Sequence, residues 1–297
     1  MAQRQRILVT GANKGIGFAT VREILAGGED RFVVLGSRSI ERGEAALQRL
    51  LENNPEFEGR VEMLQIDVAD DESVKQAAQK VADRFEEETP LYGVVNNAGI
   101  GLGSGNLEKV LNVNTRGPKR VCDAFLPLLK AEGGRIVNVA SASGPNFVNR
   151  CSDERQQLLT SSEVTWEEIE ALMEEALEIE AEDGDFEAAG LDDGAPYGLS
   201  KACLNAYTIA LAREHPNLVV NSCTPGFIET DLTRPMAENQ GVDPEEMGMK
   251  PPKEGTRSIR FLLFGEPGGT GWYFGSDAER SPMDRYRSPG DPPYRGD

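Results

Sequence analysis

The 297-residue chain predicts an α/β fold, a doubly wound parallel sheet of about seven strands with helices on both faces. Three observations carry that expectation. Short apolar runs rich in β-branched residues recur along the chain, as buried parallel strands require. Helix-length segments separate these runs. A glycine-rich turn joins the first run to the first helix.

Taken in order, strands are expected at 7–10, 32–36, 62–66, 93–96, 135–140, 219–223 and 271–275. Crossover helices fit 17–27, 39–53, 71–87 and 115–131, and another helix starts near Pro196. Residues 145–196 break the rhythm as a helical insertion. Within it, Thr165 and Glu168 have capping-box spacing, with Val164 and Ile169 at the flanking staple positions. Ile169, Leu172, Met173, Ala176 and Leu177 then form an apolar stripe at helical spacing, with glutamates on the other face. The acidic run 180–193 reads as a surface loop, and 276–297 as a polar tail rich in Pro, Gly and Arg. No linker divides the chain, so 1–297 is expected to form one domain.

Charge is distributed unevenly. Fourteen of the acidic side chains fall in 163–193, which has no Lys or Arg; setting them aside takes the net charge from −19 to −5. Such a chain lacks the clustered cations that nucleic acid or an anionic membrane selects, so neither is an expected partner. Cys122, Cys151, Cys203 and Cys223 lie far apart and His215 is the single histidine, so no metal site is expected. The four thiols are expected to be free and buried. No run approaches the ~18 apolar residues of a membrane span, and no secretory signal is evident, which makes a cytoplasmic location the expectation.

The turn Thr10-Gly11-Ala12-Asn13-Lys14-Gly15-Ile16-Gly17 follows the first strand and opens the first helix. Glycines there let the backbone approach a pyrophosphate, and the helix N-terminus offers it unpaired N–H groups, as in a Rossmann-type site. Gly11, Asn13, Lys14, Gly15, Ile16 and Gly17 are therefore candidate cofactor residues. A carboxylate at the tip of the second strand would select NAD through the ribose 2′-OH. Leu35-Gly36-Ser37-Arg38 offers a guanidinium instead, with Arg42 one helical turn on and Lys14 in the glycine turn. These cations suit a 2′-phosphate, so NADP(H) is the expected cofactor; the alternative is that they are solvated surface charges.

Tyr197-Gly198-Leu199-Ser200-Lys201 places a phenol and an ammonium at i and i+4, on one helical face. A phenol near pKa ~10 shuttles protons poorly at neutral pH, and an adjacent cation brings it closer to the working range. Such a pair is common by chance. With the TGANKGIG turn, Asn96-Asn97-Ala98-Gly99 and Ser141, however, it resembles the short-chain dehydrogenase/reductase family over roughly residues 5–275. The insertion before Tyr197 resembles the monomeric carbonyl-reductase branch.

The resemblance implies roles for single residues. Tyr197 is the proton donor, and Lys201 lowers its pKa and bonds the nicotinamide ribose. Ser141, with Ser143 as alternate, orients the substrate oxygen. Asn114 anchors a water in the proton relay, or else only stabilises a helix bend. Asp67 and Val68 contact the adenine, Asp67 alternatively capping the next helix. Asn97, Ala98 and Gly99 line the cofactor, and Pro225, Gly226, Ile228 and Thr230 cover the nicotinamide carboxamide.

The expected activity is NADPH-dependent reduction of a small ketone, aldehyde or quinone by a monomer. Two alternatives are a non-catalytic NADPH-binding sensor or docking module and an alcohol dehydrogenase working in the oxidative direction. The substrate pocket is expected between the 145–196 insertion and the loop 231–250, with Met236, Met247 and Met249 as an adaptable wall. Gly101, Gly103 and Gly105 are expected to loosen the approach to the fourth helix.

Overall fold

The computed structural model describes residues 4–101 and 106–296; Gly103 and Gly105 lie outside them. The chain opens with β1 (Gln5–Val9), α1 (Gly15–Ala26), β2 (Arg31–Ser37), α2 (Ile40–Asn53), β3 (Val61–Gln65), α3 (Asp71–Phe85) and β4 (Gly93–Asn96). A composite helix follows, made of α4 (Leu107–Leu111), a π-helical turn Asn112–Arg116 and α5 (Gly117–Phe125). Next come β5 (Arg135–Val139), α6 (Ser143–Val148), α7 (Asp153–Thr160), α8 (Trp166–Ala181) and α9 (Pro196–Glu214). The remainder is β6 (Val219–Cys223), α10 (Arg234–Gln240), α11 (Arg257–Phe264), β7 (Tyr273–Phe274) and β8 (Arg280–Ser281).

The sheet has eight strands in the order β3-β2-β1-β4-β5-β6-β7-β8, parallel throughout except for the last pair. Strand pleating sorts the apolar side chains. Ile7 and Val9 enter the core on the face covered by Val21 and Ile24 of α1, Leu50 of α2 and Leu262 of α11. Leu8 and Val34 point to the other face, beneath Val74 of α3, Phe125 of α5 and Leu204 of α9. From β1 the order runs to β2 on one side and to β4 on the other. The crevice at that reversal, beyond the strands' carboxyl ends, is where such sheets take ligands.

The insertion folds as its pattern requires. Thr165 and Glu168 close the capping box, and Val164 and Ile169 are both buried around it. Ile169, Leu172, Met173 and Ala176 are buried, with α8 packed on α4 and α9. The expected loop 180–193 begins later than predicted, since α8 continues to Ala181. It is also not wholly surface: Leu191 is fully buried.

Four other elements differ from expectation, the first being α10, which forms where 231–250 was expected to be loop. The helix expected at 115 starts at Leu107, where Asn106 accepts the Lys109 N–H at 3.1 Å and Glu180 accepts the Leu107 N–H at 3.3 Å. The second of these caps comes from 73 residues away, so no local pattern announces it. α11 was not expected; its Ile259, Leu262 and Leu263 cover one sheet face. The polar tail contributes an eighth strand, because Arg287, 7% exposed, binds the carbonyls of Arg280, Ser288 and Asp291 and pairs with Asp277.

Candidate active site

The glycine turn leaves β1 through two left-handed residues, Gly11 at φ +63° and Gly15 at φ +57°, a region that favours glycine. Gly17 faces a different constraint: a Cβ there would lie 2.6 Å from the Gly11 carbonyl and 2.4 Å from Asn97 Nδ2. Asn97 braces the turn by donating from Nδ2 to the carbonyls of Thr10 at 2.9 Å and Gly11 at 3.2 Å. Thr10, absent from the predicted set, ties the two strand tips together. Its Oγ1 accepts the N–H groups of Asn97 and Ala98, both at 3.0 Å. The role of Thr10 is not evident in sequence without knowing that β1 and β4 are neighbours.

A groove of about 480 Å³ runs over this turn. Every predicted residue of the nucleotide end lines it: Gly11, Asn13, Lys14, Gly15, Ile16, Gly17, Arg38, Arg42, Asp67, Val68, Asn97, Ala98 and Gly99. Arg38 reaches out from the end of β2, with Nε 3.9 Å from Asp67 Oδ2. Asp67 does not cap α3; Asp70 does, accepting the Ser73 N–H at 2.6 Å. Lys14 pairs with Asp231 at 2.5 Å across the groove, holding that carboxyl below its ordinary pKa. Asp231 belongs to the segment after β6, so the pair is another long-range contact.

The groove opens into a cavity of about 280 Å³, sharing Ile16, Asn97, Gly99, Thr230 and Leu232 with it. Ser141, Ser143, Tyr197, Lys201, Pro225, Gly226, Ile228 and Thr230 line this cavity. Its mouth is apolar: Phe227, Leu232 and Met236 keep 37–40% of their surface exposed there. The expected wall is only half realised. Met236 contributes, Met247 and Met249 do not, and no lining residue comes from 145–196. The insertion instead spends its apolar side chains on α4 and α9.

The Tyr–Lys pair departs from expectation in its electrostatics. Lys201 Nζ, almost fully buried, donates to the Val139 carbonyl at 2.9 Å and lies 5.8 Å from the centre of the Tyr197 ring. Burial lowers its pKa to about 8. Burial also pushes the Tyr197 phenol up, against a smaller downward pull from its hydrogen bond with Ser141. The net shift of the phenol is upward, and the Lys201 ammonium is held at the end of β5.

Asn114, fully buried, sits in the π-helical turn and is absent from the cavity lining. Its Oδ1 accepts the Ile100 N–H at 2.9 Å, and its Nδ2 donates to the Ile100 carbonyl at 2.9 Å and to Ser200 Oγ at 3.1 Å. Ser200 in turn donates to the Tyr197 carbonyl at 2.9 Å. The side-chain amide thus ties the π turn to Ile100 and to α9. Ser200 was missed, though it stands immediately before Lys201.

Known proteins resemble this chain in sequence and in fold. A family model described as short chain dehydrogenase matches residues 5–152. The (+)-neomenthol dehydrogenase of Arabidopsis thaliana is 34% identical over 252 residues, covering 76% of this chain and 83% of that protein. Carbonyl reductase (NADPH) 1 of Homo sapiens is 32% identical over 285 residues, covering 89% and 92%. The chain belongs to the short-chain dehydrogenase/reductase family. Within it the chain falls in the carbonyl-reductase branch. Salutaridine reductase from Papaver somniferum shares the fold with a TM-score of 0.75 and 28% identity, over 91% of this chain and 99% of that one. Membership makes the protein an oxidoreductase with a nicotinamide cofactor, and the glycine turn and continuous groove fit such a dinucleotide. All four cysteines are free and buried, and no described helix is long and apolar enough to cross a membrane.

Proposed function

We propose that the protein is an NADPH-dependent carbonyl reductase acting on an uncharged ketone, aldehyde or quinone. One observation carries the reading. Ser141, Tyr197 and Lys201 share an apolar-mouthed cavity with one end of a groove whose other end holds Arg38 and Arg42. Gly11, Gly15 and Gly17 would admit the pyrophosphate, and Arg38, Arg42 and Lys14 would meet a 2′-phosphate. Asp67 and Val68 would flank the adenine, and Pro225, Gly226, Ile228 and Thr230 would lie against the nicotinamide.

The reduced cofactor supplies a hydride when bound. The protein's part is to hold the substrate oxygen and protonate it. Ser141 orients that oxygen toward Tyr197, and Phe227, Leu232 and Met236 receive the apolar remainder. Tyr197, like any phenol, is protonated at neutral pH, and burial shifts it further in that direction, so it can give its proton to the developing alkoxide. The resulting phenolate is stabilised by Ser141 and by the Lys201 ammonium, which opposes the burial cost.

The test is NADPH consumption against a panel of quinones, aromatic ketones and aldehydes, repeated with NADH. Turnover with NADPH and little with NADH is expected. Equal rates would sink the cofactor assignment, whereas NADPH binding without turnover of any carbonyl would favour a sensor or docking module. We also propose a cytoplasmic monomer, since the apolar stripe of α8 is buried within its own chain. A tetramer in sedimentation velocity would overturn the monomer.

A further inference from the structure

The acidic insertion packs on α9, which carries Tyr197 and Lys201, and it also reaches the turn that presents Asn114, where Arg116 meets its carboxylates. Arg116 ends the π-helical turn that presents Asn114, two positions away. Its guanidinium, with the side chain 14% exposed, meets three carboxylates. Nε donates to Glu170 of α8 at 2.8 Å, Nη1 to both oxygens of Glu108 of α4 at 3.1 Å, and Nη2 to Glu174 of α8. Its fork is thus divided between the helix that begins this turn and the helix of the insertion. On the opposite side, α9 holds the same turn through Thr115 Oγ1, which donates to the Ser200 carbonyl at 2.9 Å.

The local sequence explains why the turn needs holding. Pro118 stands four residues after Asn114, where an α-helix would supply an N–H to the Asn114 carbonyl; proline has none. The helix there is wound as π instead, a local irregularity that recurs at functional sites. A widened turn lacking a regular backbone bond depends on its side chains for its position.

We propose that Arg116 is a positioning residue: clamped by Glu170 and Glu174 of the insertion and Glu108 of α4, it fixes the Asn114 carbonyl where the proton relay needs it. This rests on the reductase reading above and gives the acidic insertion a catalytic purpose. The segment lines no part of the substrate cavity, and its charged link to the Asn114 turn runs through one cation. Arg155 provides the internal control. It holds α8 through Glu175 and also binds the Ala189 carbonyl at 3.2 Å, but it touches nothing in the π turn.

The experiment measures kcat and KM for a carbonyl of the panel, NADPH binding by fluorescence titration, and Tm, all on the full chain. Arg116→Met and the double variant Glu170→Gln/Glu174→Gln should lower kcat roughly ten- to a hundredfold, the scale of small misplacements in a catalytic array. KM and the NADPH Kd should stay within about twofold of wild type, a split that only a loss specific to the chemical step produces. Arg116→Lys should recover part of kcat. Pro118→Ala restores an N–H opposite the Asn114 carbonyl and should lower kcat while leaving Tm unchanged or higher. Arg155→Met should lower Tm alone.

Equal kcat losses in the Arg155 and Arg116 variants would overturn the proposal, showing that general loosening of α8 is responsible. Unchanged kcat in the soluble Glu170→Gln/Glu174→Gln protein would also overturn it. If wild type itself turns over no carbonyl while binding NADPH, the reductase reading fails first, and with it the role assigned to Arg116.

Discussion

The two ends of the ligand site recognise in different ways. At the nucleotide end, backbone geometry and exposed charge dominate: left-handed glycines, an uncapped helix N-terminus, and Arg38 and Lys14 with more than half of their side-chain surface exposed. At the catalytic end, the only ionisable groups in the wall among the described residues are Tyr197 and Lys201, both shifted by burial, and the rest is hydroxyl, amide and apolar surface. Cations in water attract an anion cheaply but are screened. A buried phenol and amine are costly to charge, and that cost gives them leverage over a proton. One end holds the cofactor and the other does chemistry, with Ile16, Asn97 and Gly99 lining both.

The largest effect should come at the catalytic end. Tyr197→Phe removes the proton donor and should cut turnover roughly 10²- to 10⁴-fold, while fluorescence titration finds NADPH binding unchanged. Loss of binding in parallel would erase the division between the two ends. At the other end, Arg38→Gln should raise the Kd for NADPH roughly tenfold and leave that for NADH alone. An equal change for both nucleotides would mean that the guanidinium does not read the 2′-phosphate.

The pH dependence probes the buried amine. Lys201 is held at about 8 against an ordinary 10.5, so its charge disappears first in the folded protein. Reductive kcat/KM should therefore fall about tenfold per pH unit above that point, with Tyr197 still protonated. Between about 8 and 10.5 the unfolded chain keeps a proton that the folded chain has released, so stability contributed by this group rises with pH. Lys201→Met should abolish that rise in urea melts; its persistence would point to another group. The smallest effect belongs to the cavity mouth. Met236→Ala, at a side chain 40% exposed, should raise KM for apolar ketones roughly two- to fivefold with kcat unchanged.

The same division governs what the sequence could reveal. The glycine turn was legible because left-handed φ and close backbone approach restrict residue choice locally, and every predicted nucleotide-end residue lines the groove. Tyr197 and Lys201 were legible because one helical turn fixes their spacing. Contacts between distant segments were not: Lys14 with Asp231, Lys201 with the Val139 carbonyl, and Glu180 with the Leu107 N–H. Those partners hold the Lys201 ammonium in place and set the start of α4. The insertion misled for a related reason. Its apolar stripe shows that it packs, but periodicity cannot say whether it packs on a substrate or on its own protein. The polar tail concealed β8, since two residues of strand anchored by one buried arginine leave no periodic trace.

That short strand has a bearing on how the molecule behaves in a crowded solution. A parallel sheet ending at β7 would present a row of unpaired N–H and C=O groups, a template for another chain's strand. β8 turns back antiparallel and occupies it. The opposite margin, β3, is five residues long and carries Glu62, paired with Arg84. With one border a strand of only two residues and the other short and charged, edge-to-edge polymerisation is discouraged at both ends of the sheet, and self-association is left to the helical faces.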